Sequence, residues 1–74
     1  MTFKRGDTVV HKKDAREGCY VNPLPNGGHV VGRDDVGGEH EAIFEVWMPD
    51  VIDKADESKR SQWPRVRSIV REIP

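Results

Sequence analysis

The sequence has one cysteine, few aromatic residues and no long apolar run. Cys19 cannot form a disulfide within the chain, which excludes the disulfide-stapled class of small domains and favours a reducing compartment. The apolar stretches are far shorter than the roughly 20 residues that a membrane-spanning helix needs. The N-terminal residues carry two cations and an aspartate before any apolar run, unlike a signal peptide. We therefore expect a cytoplasmic protein.

The chain is also short, at 74 residues, of which 34% are charged and 35% hydrophobic. A domain of this size buries only about 60% of the surface that its unfolded chain exposes, so its core is small. A large catalytic cleft is not expected. We expect a single domain and a monomer, with residues 1–50 forming the core and residues 51–74 forming a charged loop and a basic C-terminal segment.

The charge distribution is segmented, although the formal net charge is only −1. Residues 1–20 carry a net charge of +2, residues 21–58 carry −7 and residues 59–74 carry +4. Separate blocks of opposite sign favour oriented docking on another molecule.

Three segments have the pattern of β-strands. Residues 7–12 follow a Gly-Asp turn and contain a β-branched run, and residues 29–32 form a second short apolar run. The glycine-rich residues 33–38 predict a hairpin turn before a third strand at residues 41–48. Alternation along that strand places four apolar side chains on one face, which we expect to point into the core: Ala42, Phe44, Val46 and Met48.

The remaining segments are less regular. Residues 13–28 predict a long loop, because residues 22–28 are dense in proline, asparagine and glycine. Residues 50–59 fit either a short helix or a solvated loop. Residues 63–73 combine helical spacing of valine and isoleucine with a strand-like Arg-Val-Arg alternation. We expect a short strand followed by a helical turn, with a flexible tail that orders on binding as the alternative.

Several short strands joined by glycine-rich turns predict a mainly β fold, a small SH3-like antiparallel barrel with a basic C-terminal segment. The stretch FKRGDTVVH resembles the opening of the RNA-polymerase-interacting domains of the CarD type and of transcription-repair coupling factors. GGHVVGRDD, followed by IFEVWM, resembles strands of KOW-like and nitrile-hydratase-β-like barrels. The likeness spans residues 3–48 and implies a barrel with a role in transcription or another nucleic-acid machine.

The chain departs from the CarD-type pattern at residues 14–18, where DAREG stands in place of a histidine-glycine-x-glycine stretch. The polymerase-binding residues of that family therefore do not transfer to this chain one by one.

Candidate metal ligands and acid–base groups are present without a matching motif. His11, His29 and His40 with Cys19 could supply zinc ligands, but no two of them have the close spacing of a zinc knuckle. The carboxylates and histidine of residues 34–41 suit acid–base work, although charges in a turn are typically solvated. We expect no catalytic residues, no metal and no cofactor, and so no enzyme.

The C-terminal segment interleaves arginines with Trp63, a combination that suits an acidic protein surface or a nucleic acid. The predicted partner-binding residues come from this C-terminal segment and from one tryptophan of the third strand: Trp47, Lys59, Arg60, Trp63, Arg65, Arg67 and Arg71. Aromatic and arginine side chains of this kind commonly dominate interface energetics. The loop at residues 22–28 is a predicted second contact.

These observations favour a non-enzymatic regulator that docks on a larger protein assembly. The resemblance implies RNA polymerase or the transcription apparatus, with the protein acting as an accessory factor or a phage-type inhibitor of host transcription. The alternative is a nucleic-acid-binding SH3-like module. The acidic residues 21–58 weigh against it, because they would repel a polyanion. A small metal-binding protein or enzyme is a remote third reading.

Overall fold

The structure is a computed structural model that describes residues 2–33, 42–56 and 64–73. Five strands form one antiparallel sheet in the order β4-β3-β2-β1-β5, and a helix follows them. The elements are β1 Thr8–His11, β2 Glu17–Pro23, β3 His29–Arg33, β4 Ile43–Trp47, β5 Ile52–Lys54 and α1 Pro64–Arg71. None of the described helical residues forms a helix long and apolar enough to cross a membrane.

The predicted mainly β fold is confirmed, and β1, β3 and β4 fall within or close to their predicted bounds. The sheet is not closed: among the described pairings, β4 and β5 are the two edges and do not meet. The barrel part of the expectation is therefore not confirmed. The predicted hairpin turn at residues 33–38 lies, apart from its first residue, outside the described residues.

The predicted long loop at residues 13–28 is wrong, because its centre is strand β2. Cys19 pairs with Thr8 of β1 and with Gly32 of β3, so β2 is the middle of the sheet. The proline, asparagine and glycine residues form a turn only at the end of β2, where the amide of Leu24 donates to the carbonyl of Gly28 at 2.8 Å.

The two C-terminal predictions also need correction. Neither a helix nor a loop accounts for the described part of residues 50–59, because Ile52–Lys54 form β5 and pair with β1, and residues 57–59 lie outside the description. The short strand predicted at the start of residues 63–73 is instead part of α1, Pro64–Arg71. The helical spacing prevails there because it buries Val66 and Val70 on one side of the helix.

Both faces of the sheet are packed. On one, which we call the core face, buried side chains from all five strands and the turn before β5 pack together: Val9, Tyr20, Val31, Trp47, Val51 and Ile52. The other, which we call the helix face, carries α1, and its buried residues are Cys19, Val21, Val66 and Val70. A single layer of sheet thus separates two small cores.

The predicted inward facing of the third strand holds for Ala42, which packs against the helix-face core, but is wrong for the other three residues. Trp47 is only 2% exposed and lies on the core face, whereas Phe44, Val46 and Met48 are 46%, 53% and 46% exposed. The alternation itself is as expected, but the more apolar side of the strand is the helix face. Helix α1 packs mainly on β2 and β3, which leaves these side chains of β4 half open to solvent.

Candidate docking surface on strand β4

The structure does not assemble the predicted partner-binding residues into one surface. Trp47 lies in the core face, while Arg67 and Arg71 belong to α1 on the opposite side of the sheet. Arg71 is exposed and Arg67 is half-buried. The predictions for Lys59, Arg60 and Trp63, and for the side chain of Arg65, fall outside the described part of the chain. Trp47 is 2% exposed, so little of its ring reaches the surface.

A different surface is prominent: three large apolar side chains that are about half exposed, two on one side of β4 and a third directly after the strand. We call Phe44, Val46 and Met48 the apolar row. Because side chains alternate along an extended strand, all three point to the helix face. Single exposed apolar residues are ordinary, whereas a contiguous group of them is a candidate interaction surface.

Two glycines lie beneath the apolar row, Gly32 within β3 and Gly28 directly before it. A Cβ atom at Gly28 would lie 2.8 Å from Cγ1 of Val46, and one at Gly32 would lie 3.3 Å from Cε1 of Phe44. The absence of side chains at these positions lets Val46 and Phe44 lie down on the backbone of β3. The side chains of the row therefore rest on the neighbouring backbone and do not project freely into solvent.

The row lies on an open edge of the sheet. Among the described strands, β4 pairs only with β3, so none of the other described strands covers its outer edge. Proteins commonly protect such edges by shortness or charge. The opposite edge, β5, has three residues including Asp53 and Lys54, whereas the apolar row has no charge.

The one ionisable side chain of β4, Glu45, is held within its own chain. Its Oε1 accepts hydrogen bonds from Nη1 of Arg16 at 2.7 Å and from Nε1 of Trp47 at 3.0 Å. Its Oε2 accepts from Nη1 of Arg33 at 3.2 Å. Burial alone would raise the pKa of Glu45, but the bonds from Trp47 and Arg33 and the charges of both arginines outweigh it and lower that pKa.

The same group fixes Trp47 in the core face. The ring of His11 meets the indole edge-on at 5.2 Å between centroids, and the guanidinium carbon of Arg16 lies 5.8 Å from the indole centroid. The group thus forms a polar rim beside β4, on the side opposite the apolar row. Reasoning from the sequence missed Glu45, although a lone carboxylate in an alternating apolar strand signals an internal partner.

A second aromatic group closes the other end of the core face. The hydroxyl of Tyr20 lies 2.9 Å from Nδ1 of His29, and the Phe3 ring packs against both side chains. Burial raises the pKa of Tyr20. The contacts of His29 are those of a structural core residue.

The candidate zinc ligands are separated. His11 accepts a hydrogen bond from the amide of Asp14 through Nδ1, and Cys19 is buried on the helix face. His40 lies outside the described residues. Within residues 2–33, 42–56 and 64–73, no three His, Cys, Asp or Glu side chains cluster in a way that could hold a metal ion.

Several of the described arginines are engaged within the chain. Arg5 donates from Nε to the carbonyl of Val21 at 3.1 Å and from Nη1 to the carbonyl of Ile73 at 2.6 Å, which ties the end of the chain to β2. Arg16 and Arg33 are bound to Glu45. These three cations are therefore less available for phosphate contacts than their number suggests.

No protein-family model, curated protein or solved structure matches this chain. The functional proposal therefore depends on the surface of β4. This surface combines the apolar row, an edge that no other described strand covers and the polar rim on the opposite face.

Proposed function

We propose that this protein is a non-enzymatic cytoplasmic module that docks on a larger protein assembly through the apolar row and the open edge of β4. The observation that carries the proposal is the contiguous exposure of Phe44, Val46 and Met48, along and directly after a strand whose outer edge no other described strand covers. Covering this surface would remove apolar area from water, which is the main favourable term in protein association.

The surface has the organisation of a protein interface. Such interfaces have an apolar centre rich in aromatic residues and methionine, surrounded by a polar rim. Here Phe44 and Met48 supply the apolar centre, and the partly exposed Arg16 and Arg33 lie across the strand edge, on the opposite face of β4. The energetic contribution is expected to concentrate in Phe44, because large buried anchors dominate interface energetics.

The first assembly to test is RNA polymerase. This choice is supported by the resemblance of residues 3–48 to polymerase-interacting domains and not by the geometry of β4. In that setting the protein would act as an accessory factor or as a phage-type inhibitor of transcription. A small domain with one apolar docking surface can serve either role.

The proposal is tested by capture of partners from a nuclease-treated bacterial lysate at low and high salt, with purified RNA polymerase as a direct second binding partner. The variant is Val46→Glu, which places a charge at the centre of the apolar row. The matched control is Ser68→Glu on the exposed side of α1. Both positions are solvent-accessible, so both variants are expected to keep the cooperative thermal unfolding of the wild type.

We expect the wild type and Ser68→Glu to retain the polymerase after nuclease and high salt, and Val46→Glu to lose it. Equal capture by Val46→Glu would contradict the docking surface. Loss of all binding on nuclease treatment, or a collapse of affinity between about 50 and 200 mM salt, would instead identify a nucleic-acid binder.

A further inference from the structure

We infer that the apolar row also binds a second copy of this chain, with the β4 strands of two copies pairing antiparallel about a two-fold axis. The pairing would join the two sheets into one. The pairing uses the same apolar row and strand edge as the proposed function. It rests on that function in one respect, because self-pairing would mask the docking site.

The second copy is favoured by the charge arrangement along β4. The apolar row carries no charge, so two rows can meet without burying an ion. The only carboxylate of the strand, Glu45, already accepts bonds from Arg16, Arg33 and Trp47. Most protein edges repel a second copy through an exposed lysine or a proline in the strand, and β4 has neither.

The register of the pairing follows from Glu45. An axis through Glu45 would place the two carboxylates directly opposite each other, which is destabilising. An axis through Val46 places Val46 opposite Val46 of the second copy and Phe44 opposite Met48 of the second copy. In this register every cross-strand pair on the helix face is apolar, and the surface is complementary to itself, as a two-fold interface requires.

The core face is complementary in charge in the same register. Glu45 then stands opposite position 47 of the second copy, where the guanidinium of Arg16 lies 5.8 Å from the indole centroid. Each carboxylate would therefore approach a cation of the other copy, twice by symmetry. Ile43 falls opposite Pro49 of the second copy, beyond the end of β4 at Trp47, so the ladder is short.

The composition alone led us to expect a monomer, and the edge of β4 revises that expectation to a monomer–dimer equilibrium. A partner that occupies the apolar row would draw the equilibrium toward the single chain. Docking affinity would then fall as the protein concentration rises through the dimer dissociation constant.

The first test is sedimentation equilibrium of the full chain over a wide concentration range. We expect the wild-type mass to rise toward twice that of one chain. Val46→Lys would place two ammonium groups opposite each other and raise the dimer dissociation constant by about tenfold or more. The control Ser68→Lys is expected to behave as the wild type.

The second test reads the register. Val46→Cys places two thiols opposite each other in the Val46-centred pairing and should form a disulfide-linked dimer under mild oxidation. The alternative register, centred on Glu45, places position 44 opposite position 46, so a mixture of Phe44→Cys and Val46→Cys chains reports it with Glu45 intact, and Cys19 does not interfere because it is buried. Faster formation of the mixed disulfide than of the Val46→Cys homodimer would contradict the proposed axis.

A wild type that sediments as one chain at every concentration, or a Val46→Lys variant that dimerises normally, would overturn the dimer. Neither result affects docking on another protein, because capture by the polymerase is measured separately. Conversely, a wild type that dimerises but captures no partner even well below the dimer dissociation constant would support the self-pairing and contradict the proposed function.

Discussion

The indole Nε1 of Trp47 donates a 3.0 Å hydrogen bond to Oε1 of Glu45, two residues earlier on the same strand. Both side chains lie on the core face, so the bond joins the buried aromatic to the partly exposed arginine rim. This bond and the apolar row occupy opposite sides of β4. Stability and binding should therefore be separable by substitutions in a single strand.

Replacing Trp47 and Phe44 by alanine tests that separation. Trp47→Ala removes a buried ring and should lower the free energy of unfolding by about 3–5 kcal/mol, close to the whole stability of so small a domain. Phe44→Ala should cost less than about half of that, because Phe44 is already 46% exposed. Denaturant unfolding measures both. An unfolded Phe44→Ala chain would show that Phe44 belongs to the core.

Glu45 should make the protein sensitive to acid. Its pKa in the folded chain lies below the ordinary value of 4.5, because the Trp47 and Arg33 bonds and the charges of Arg16 and Arg33 outweigh burial. The stability that the carboxylate contributes is therefore present above that value and is lost as the pH falls through the folded pKa. We expect the unfolding temperature of the wild type to fall over this range.

The matched variants are Glu45→Gln and Glu72→Gln, the second being an exposed carboxylate directly after α1. Glu45→Gln should be less stable at neutral pH, because Arg16 and Arg33 lose their common anion, and its stability should vary less with acid. Glu72→Gln should follow the wild-type curve. The same acid profile in wild type and Glu45→Gln would refute this role of Glu45.

Tyr20 should ionise only in alkali, above the ordinary value of 10.0, because burial raises its pKa. A raised pKa means that the folded chain favours the neutral phenol, so stability is present below the unfolded pKa and is lost as the pH rises through the folded one. Tyr20 is the single tyrosine of the chain, so the ultraviolet absorbance of tyrosinate reports on it directly.

The control for Tyr20 is the same titration in guanidinium chloride, where the unfolded chain should ionise near the ordinary value. Coincident titration curves for the folded and unfolded chains would contradict the burial of Tyr20 beside His29. Tyr20→Phe should remove the alkaline loss of stability while also losing the hydrogen bond to His29.

The strands that the sequence predicted are those with β-branched runs between clear turn signals, such as Thr8–His11 and His29–Arg33. Strand β2 was missed because its buried run is only Cys19, Tyr20 and Val21 and merges with a proline-rich turn. Strand β5 was missed because its three residues become a strand only by pairing with β1, a distant segment. Non-local pairing of this kind leaves little local signal.

Prediction of the candidate site from the sequence is limited in the same way, by contacts between distant segments. Alternation along β4 correctly grouped Phe44, Val46 and Met48 on one face. It could not show that α1 covers β2 and β3 more fully than β4, because that depends on where the helix packs. The apolar row was therefore assigned to the core, and binding was assigned to Trp47 and the C-terminal arginines.

The most direct test of the central claim is hydrogen–deuterium exchange of the chain bound to RNA polymerase, at a concentration at which the free protein is monomeric. We expect binding to slow amide exchange across residues 43–48, because the outer edge of β4 becomes covered. Exchange in residues 64–73 should change little. Protection confined to residues 64–73, with residues 43–48 exchanging as in the free chain, would contradict the β4 docking surface.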